Sequence, residues 1–247
     1  MKYFIFGDSH GKDMQKLETA LLIENPDSLI CLGDFDQVKT IRDFMNIEKG
    51  FLEKGKEVIK VPGNHDYAIL NNQSIKSSAL NAKGKTPYQI HQELLRDKEA
   101  YDYLSNLVNS DFIVRGFLDK NKFGDKYRFV VMHGAYSGDH SDYPNCPKEL
   151  EALWNKLVSE KDFSPNFNEM KKRGEKIMIR GHDHFPIHGI RDSNGEDITT
   201  TSDGDKYELS EDKEHIINPG AFLFGHFATI DTSGKAPVVE YRDVSYL

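Results

Sequence analysis

Apolar positions along the chain fall first into short blocks, then into stripes of helical spacing, then into blocks again. Residues 2–6, KYFIF, predict a strand, and Met14, Leu17 and Leu21 recur on one helix face. Ser28-Leu29-Ile30-Cys31-Leu32 predicts a buried strand. Val38, Ile41, Met45 and Leu52 mark a second helix, broken on that face by Glu48 and ended at Gly55. Val58-Ile59-Lys60-Val61 predicts a third strand before Pro62-Gly63. Strand and helix alternate throughout this first part, which implies right-handed crossovers and a parallel sheet.

Further on, one helix is expected over roughly 89–108 and a strand at 128–132. A helix opening at Pro147 would carry Leu150, Leu153, Trp154, Leu157 and Val158 on one face. A short strand is expected at 177–179. From Pro186 the pattern is strand and turn, with turn signals at 193–195, 202–205 and 232–235. Mixed α/β with a β-rich final third is the expected class.

Length and composition narrow this picture. The 247 residues suit one large domain, expected to run over 1–247 with inserts at about 67–127 and 135–175. No apolar run approaches the ~20 residues that span a bilayer, and the opening residues are too short for a secretory leader. Cys31 and Cys146 are too few for a disulfide framework. A cytoplasmic protein with no membrane partner is expected, of unspecified oligomeric state. The net charge of −8 argues against bulk affinity for nucleic acid. The stretch from Tyr67 to Met132 nevertheless holds ten basic and seven acidic side chains, which leaves a polyanionic substrate open there.

Candidate chemistry sits where the strands end. Gly7-Asp8-Ser9-His10-Gly11, Gly33-Asp34-Phe35-Asp36 and Gly63-Asn64-His65-Asp66 follow the first three strands. His133-Gly134 and Gly181-His182-Asp183-His184 follow two later ones. Each segment alone reads as an ordinary turn. Together they deliver carboxylates and imidazoles to one sheet edge, where α/β proteins build ligand sites. Asp, His and Asn without cysteine suit Mn²⁺, Fe²⁺, Zn²⁺ or Ni²⁺ rather than a structural zinc. Seven donors exceed one ion with an open position and fit two ions that share a carboxylate.

The order G-D-x-H-G, G-D, G-N-H-D, H-G, G-H-x-H resembles that of the calcineurin-like metallophosphoesterases, and Asn218-Pro219-Gly220 resembles a turn that follows in small members. The resemblance implies a four-layer αββα sandwich, with the inserts as possible caps over the metal edge. It implies two divalent ions, Mn²⁺ first and Fe, Zn or Ni as alternatives. One would be held by Asp8, His10, Asp34 and His184, the other by Asp34, Asn64, His133 and His182. His65 would act on the leaving-group oxygen with Asp66 orienting it, and a hydroxide bridging the metals would attack phosphorus.

The match has two departures. Asp36-Gln37 stands where the protein-phosphatase branch carries a phosphate-gripping Arg, and Asp183 stands where Thr or Ser is frequent; Asp183 is expected to be a solvated turn residue. Tyr67, His91, Tyr136, His140 and Tyr143 are candidates to line a substrate pocket, while His188, His215 and His226 are left outside the site. The leading expectation is a phosphodiesterase or phosphatase on a small-molecule or nucleotide phosphoester. A diadenosine-tetraphosphatase-like nucleoside-polyphosphate hydrolase and a non-catalytic scaffold of the same fold are the alternatives.

Overall fold

The structure, a computed structural model, describes residues 1–73, 84–143 and 145–247. Among the described residues, twelve strands form two six-stranded sheets. In chain order they are β1 (Lys2–Phe6), β2 (Ser28–Cys31), β3 (Glu57–Lys60), β4 (Ile113–Phe117), β5 (Arg128–Met132) and β6 (Ile177–Ile179), followed by β7 (Pro186–Asp192), β8 (Gly195–Thr200), β9 (Lys206–Glu208), β10 (Glu214–Pro219), β11 (His226–Asp231) and β12 (Val238–Asp243). One sheet runs β3-β2-β1-β11-β12-β9 and the other β4-β5-β6-β10-β7-β8. Strands β1, β2 and β3 pair in parallel, as do β5, β6 and β10.

Side-chain alternation along the strands makes the layers. Tyr3, Ile5, Ile30 and Leu32 meet Phe129, Val131, Ile177 and Ile179 between the sheets. The intervening residues face outward. Phe4, Phe6, Leu29 and Cys31 pack under α1 (Gln15–Glu24) and α2 (Val38–Glu53). Val130, Met132 and Met178 pack under a later helix at Phe163–Arg173. The result is the expected αββα sandwich. Near one end of the inter-sheet layer, His188 and His215 lie buried with Nε2 and Nδ1 3.1 Å apart, and the Tyr207 ring stacks on His188 at 4.2 Å.

The middle of the chain departs from expectation. The helix foreseen over 89–108 is two helices. After α3 (Asn64–Leu70) come α4 (Pro87–Leu94) and α5 (Lys98–Val108), divided where the Asp97 carboxylate caps the Ala100 amide. Both pack against α2 and α3 in the outer helical layer, not over the sheet edge. A short α6 (Lys120–Phe123) precedes β5. The stripe beginning at Leu150 is not one helix either. It gives a single turn at Lys148–Leu150, the four-residue α7 (Glu151–Trp154), extended chain and then a second single turn at Glu160–Asp162 before α8 (Phe163–Arg173). Leu157 is buried there, whereas Val158 is 66% exposed. No helix among the described residues is long and apolar enough to cross a membrane.

Candidate metal centre

Every candidate residue stands where a strand leaves one edge of the sandwich. Asp8 and His10 follow β1, Asp34 and Asp36 follow β2, and Asn64, His65 and Asp66 form the first turn of α3 after β3. His133 follows β5, and His182 and His184 follow β6. Six of these residues hold a left-handed backbone: Asp8, His10, Asp34, Asp36, His182 and His184 have φ between 44° and 72°. For residues with a side chain this conformation costs about 1–3 kcal/mol and collects at functional sites. It persists here because the turns brace one another. The Asp8 amide donates to Gly33 O, the His10 amide to Asp34 O and the Gly181 amide to His133 O, each at 2.9 Å. The second and third turns touch backbone to backbone, since a Cβ on Gly33 would lie 2.2 Å from Gly63 N.

The braced turns gather three overlapping sets of donors. Asp8, His10 and His184 offer ligand atoms within 4.8 Å of one another, as do Asp34, His133 and His182, and as do His10, Asp36 and His65. His10 Nε2 lies 2.8 Å from His184 Nε2, and Asp8 Oδ1 lies 3.5 Å from the same His184 atom. His133 Nε2 lies 2.9 Å from Asn64 Oδ1 and 3.2 Å from His182 Nδ1. Asp34 stands between the first two sets. Its Oδ1 accepts from the His65 amide at 2.9 Å. Its Oδ2 is buried with no hydrogen-bond partner among the described residues, 3.3 Å from His133 Nε2 and 3.8 Å from His10 Nε2.

The far sides of the rings are committed. His133 Nδ1 donates to Leu32 O at 2.6 Å and His182 Nε2 to Trp154 O at 3.2 Å. His10 Nδ1 is 2.8 Å from Asp36 Oδ2. Each ring therefore turns its other nitrogen toward the cluster, the arrangement by which second partners orient imidazole ligands. A buried carboxylate oxygen with no donor, ringed by imidazole nitrogens whose opposite edges are occupied, fits divalent cations. The nitrogen and oxygen donors suit the ions expected from the sequence.

Electrostatics follow from crowding. Burial disfavours the Asp8 anion, but the hydrogen bond to His184 and the charges of His133, His184 and His10 outweigh it and lower the pKa. Burial likewise opposes protonation of His133, but Asp34 lifts it to about 9. His182, buried and facing His133, is held well below its usual value. Burial would depress His65, but Asp36 and Asp34 raise it to about 10. The proton that Asp34 holds on His133 is one that a cation would displace on binding.

All seven expected ligands meet at this edge, and His65 is beside them, its ring centroid 4.6 Å from that of His10. Two expectations are corrected. Asp66 does not touch the His65 ring. Its carboxylate accepts the amides of Gly63, Asp34 and Phe35 at 2.9, 2.8 and 3.0 Å, and burial with the nearby Asp34 charge raises it to about 7. The partner of His65 Nδ1 is Asp36, with both carboxylate oxygens at 2.9 Å. Nor is Asp183 a solvated turn residue. Its side chain is 6% exposed and pairs with Arg180, itself 1% exposed.

Among the pocket candidates, Tyr67 and Tyr143 pack with Trp154 beside the site, and His140 Nδ1 lies 3.1 Å from Asn155 Oδ1. His91 bonds Ile69 O and the Tyr136 hydroxyl donates to Glu175, which makes both structural. Asp36 was the residue missed. Its place two after Asp34 repeats the spacing of Asp8 to His10 and His182 to His184, a signal already present in the chain.

The fold and this edge define an α/β sandwich with clustered carboxylate and imidazole donors at its strand ends. A family model, the calcineurin-like phosphoesterase superfamily domain, matches residues 1–233, and the chain belongs to that family. No curated protein matches the sequence. A metallophosphoesterase from Sphaerobacter thermophilus superposes with a TM-score of 0.62 at 20% identity, over 98% of this chain and 88% of that one. A hypothetical protein from Pyrococcus horikoshii superposes at 0.61 with 14% identity and the same coverage. At such identities the likeness is one of fold.

Proposed function

We propose that the chain is a two-metal phosphoester hydrolase acting on a small-molecule or nucleotide phosphoester. The observation that carries this reading is Asp34 Oδ2, a buried carboxylate oxygen without a donor between His10 and His133. Asp8, His10, Asp34 and His184 would hold one ion, and Asp34, Asn64, His133 and His182 the other. Bound there, a divalent pair supplies Lewis acidity toward phosphoryl oxygens and acidifies a water.

The chain's own residues do the rest. Asp36 holds the His65 ring by Nδ1, and Nε2 has no partner among the described residues. That nitrogen is the one available to give a proton to a departing oxygen. Asp66 shapes the turn that presents His65. Arg180, the arginine nearest in sequence to His182, is occupied by Asp183 and backbone carbonyls, so it is not free to grip phosphate.

The test is hydrolysis of bis-p-nitrophenyl phosphate beside p-nitrophenyl phosphate by metal-stripped protein given Mn²⁺. Turnover that depends on Mn²⁺ and is lost in Asp34→Asn supports the reading, and the preferred ester assigns phosphodiesterase or phosphatase. Turnover indifferent to the metal would refute it.

A further inference from the structure

Arg180 is a buried cation at the end of β6, one residue before the Gly181–His184 segment. Its guanidinium reaches three backbone segments. Nε donates to Gly134 O at 2.8 Å, and Nη2 reaches Asn155 O at 3.4 Å and Asp183 Oδ1 at 3.0 Å. Nη1 donates to Asp183 Oδ2, completing a two-point pair. Asp183 Oδ1 also accepts from the Leu157 amide at 3.2 Å.

Each contact is one residue from an imidazole of the donor cluster or from the carbonyl that holds one. Gly134 follows His133. Asn155 follows Trp154, whose carbonyl accepts from His182 Nε2. Asp183 lies between His182 and His184, the second of which belongs to the other set. The segments are also tied to one another, by Gly134 N to Ala152 O at 2.8 Å and Asn155 Nδ2 to Ala135 O at 3.1 Å. The opposite set has further ties of its own: Ala221 donates to His184 O and Leu223 to Asp8 O, each at 3.1 Å.

Stability does not account for such a pair. Burying two charges costs several kcal/mol each before their attraction returns it, and apolar replacements of similar volume are often neutral. Geometry does account for it. We propose that Arg180 and Asp183 are positioning residues that fix His133, His182 and the Trp154 carbonyl in register, and so set metal affinity at that half of the centre. This rests on the two-metal reading above.

The experiment compares wild type with the double variant Arg180→Met, Asp183→Leu, since either single change strands a buried charge and endangers folding. The double variant leaves the Gly134 and Asn155 carbonyls and the Leu157 amide without these partners, so its thermal midpoint should fall, and the titrations are run well below that midpoint. Cobalt titration, followed by calorimetry and visible absorption, should show one of two Co²⁺ sites weakened about 10–100-fold and the other, which has its own ties at His184 and Asp8, weakened less. In metal-free protein, long-range ¹H–¹⁵N correlation should find the proton of His182 on Nε2 in wild type and divided between the ring nitrogens in the variant. Unchanged Co²⁺ affinities with an unchanged His182 tautomer would overturn the proposal, as would equal weakening of both sites. Wild-type protein that binds no Co²⁺ would defeat the metal reading itself, and the tautomer comparison would still decide whether the pair orients His182.

Discussion

At the scale of single residues, the two aspartates near His65 have divided roles. Asp36 touches both His10 and His65 and is a partner of rings. Asp66 touches three backbone amides and is a partner of turns. Asp36→Asn should therefore weaken metal retention or turnover by roughly 10–100-fold with little loss of stability. Metal content and kcat/KM measure the first effect, and urea unfolding the second. Asp66→Ala strands three buried amides, each worth about 1–3 kcal/mol, so its effect should appear as a large fall in unfolding free energy. Equal stability losses for the two variants would contradict this division. His65→Ala should keep its metals and lose rate most on esters with poor leaving groups; a loss independent of leaving-group pKa would remove His65 as the proton donor.

At the scale of elements, strand ends explain most of what could be read in advance. Each parallel strand is an apolar block closed by a glycine and a polar residue, so position along the chain already places the cluster. The third and second turns meet so closely at Gly63 that Gly63→Ala must part them. That variant should lose metal, by elemental analysis, more completely than it loses helix content by circular dichroism. Elements that depend on partners elsewhere were not legible. Strand β4, Ile-Val-Arg-Gly-Phe, lies at a sheet edge and has no fully buried residue to declare it. The chain after Trp154 leaves its helical stripe because Lys156 bridges Asp139 and the Leu157 amide finds Asp183, contacts that local periodicity cannot report. The Asp36–His65 contact was hidden for the same reason, since the fold brings those residues together. Arg180 and Asp183 are neighbours in sequence, and what the sequence did not report is that both are buried.

For the molecule as a whole, the histidines outside the site matter to pH. His188 is held near 3 by burial and then by the His215 charge; His215 is held near 4 by burial and then by Lys213. Both are neutral in the folded protein and take up protons at about 6.5 when unfolded. Their contribution is thus whole above pH 6.5 and declines as the pH falls toward 4, by about 2 kcal/mol per histidine at pH 5. Urea unfolding at pH 7 and pH 5 should record this loss, and a His215→Phe variant should lose less across the same interval. An identical pH response in the variant would deny the pair its role.

The six left-handed residues at the metal edge have a consequence for how this chain tolerates mutation. Glycine and asparagine adopt that backbone more readily than aspartate or histidine. Substituting either at position 8, 10, 34, 36, 182 or 184 relieves local strain while deleting a candidate ligand or its partner. A library of variants sorted for abundance alone should enrich these changes, and the same library sorted for hydrolysis should purge them. Selection for a long-lived protein and selection for a working one would then part company at six known codons.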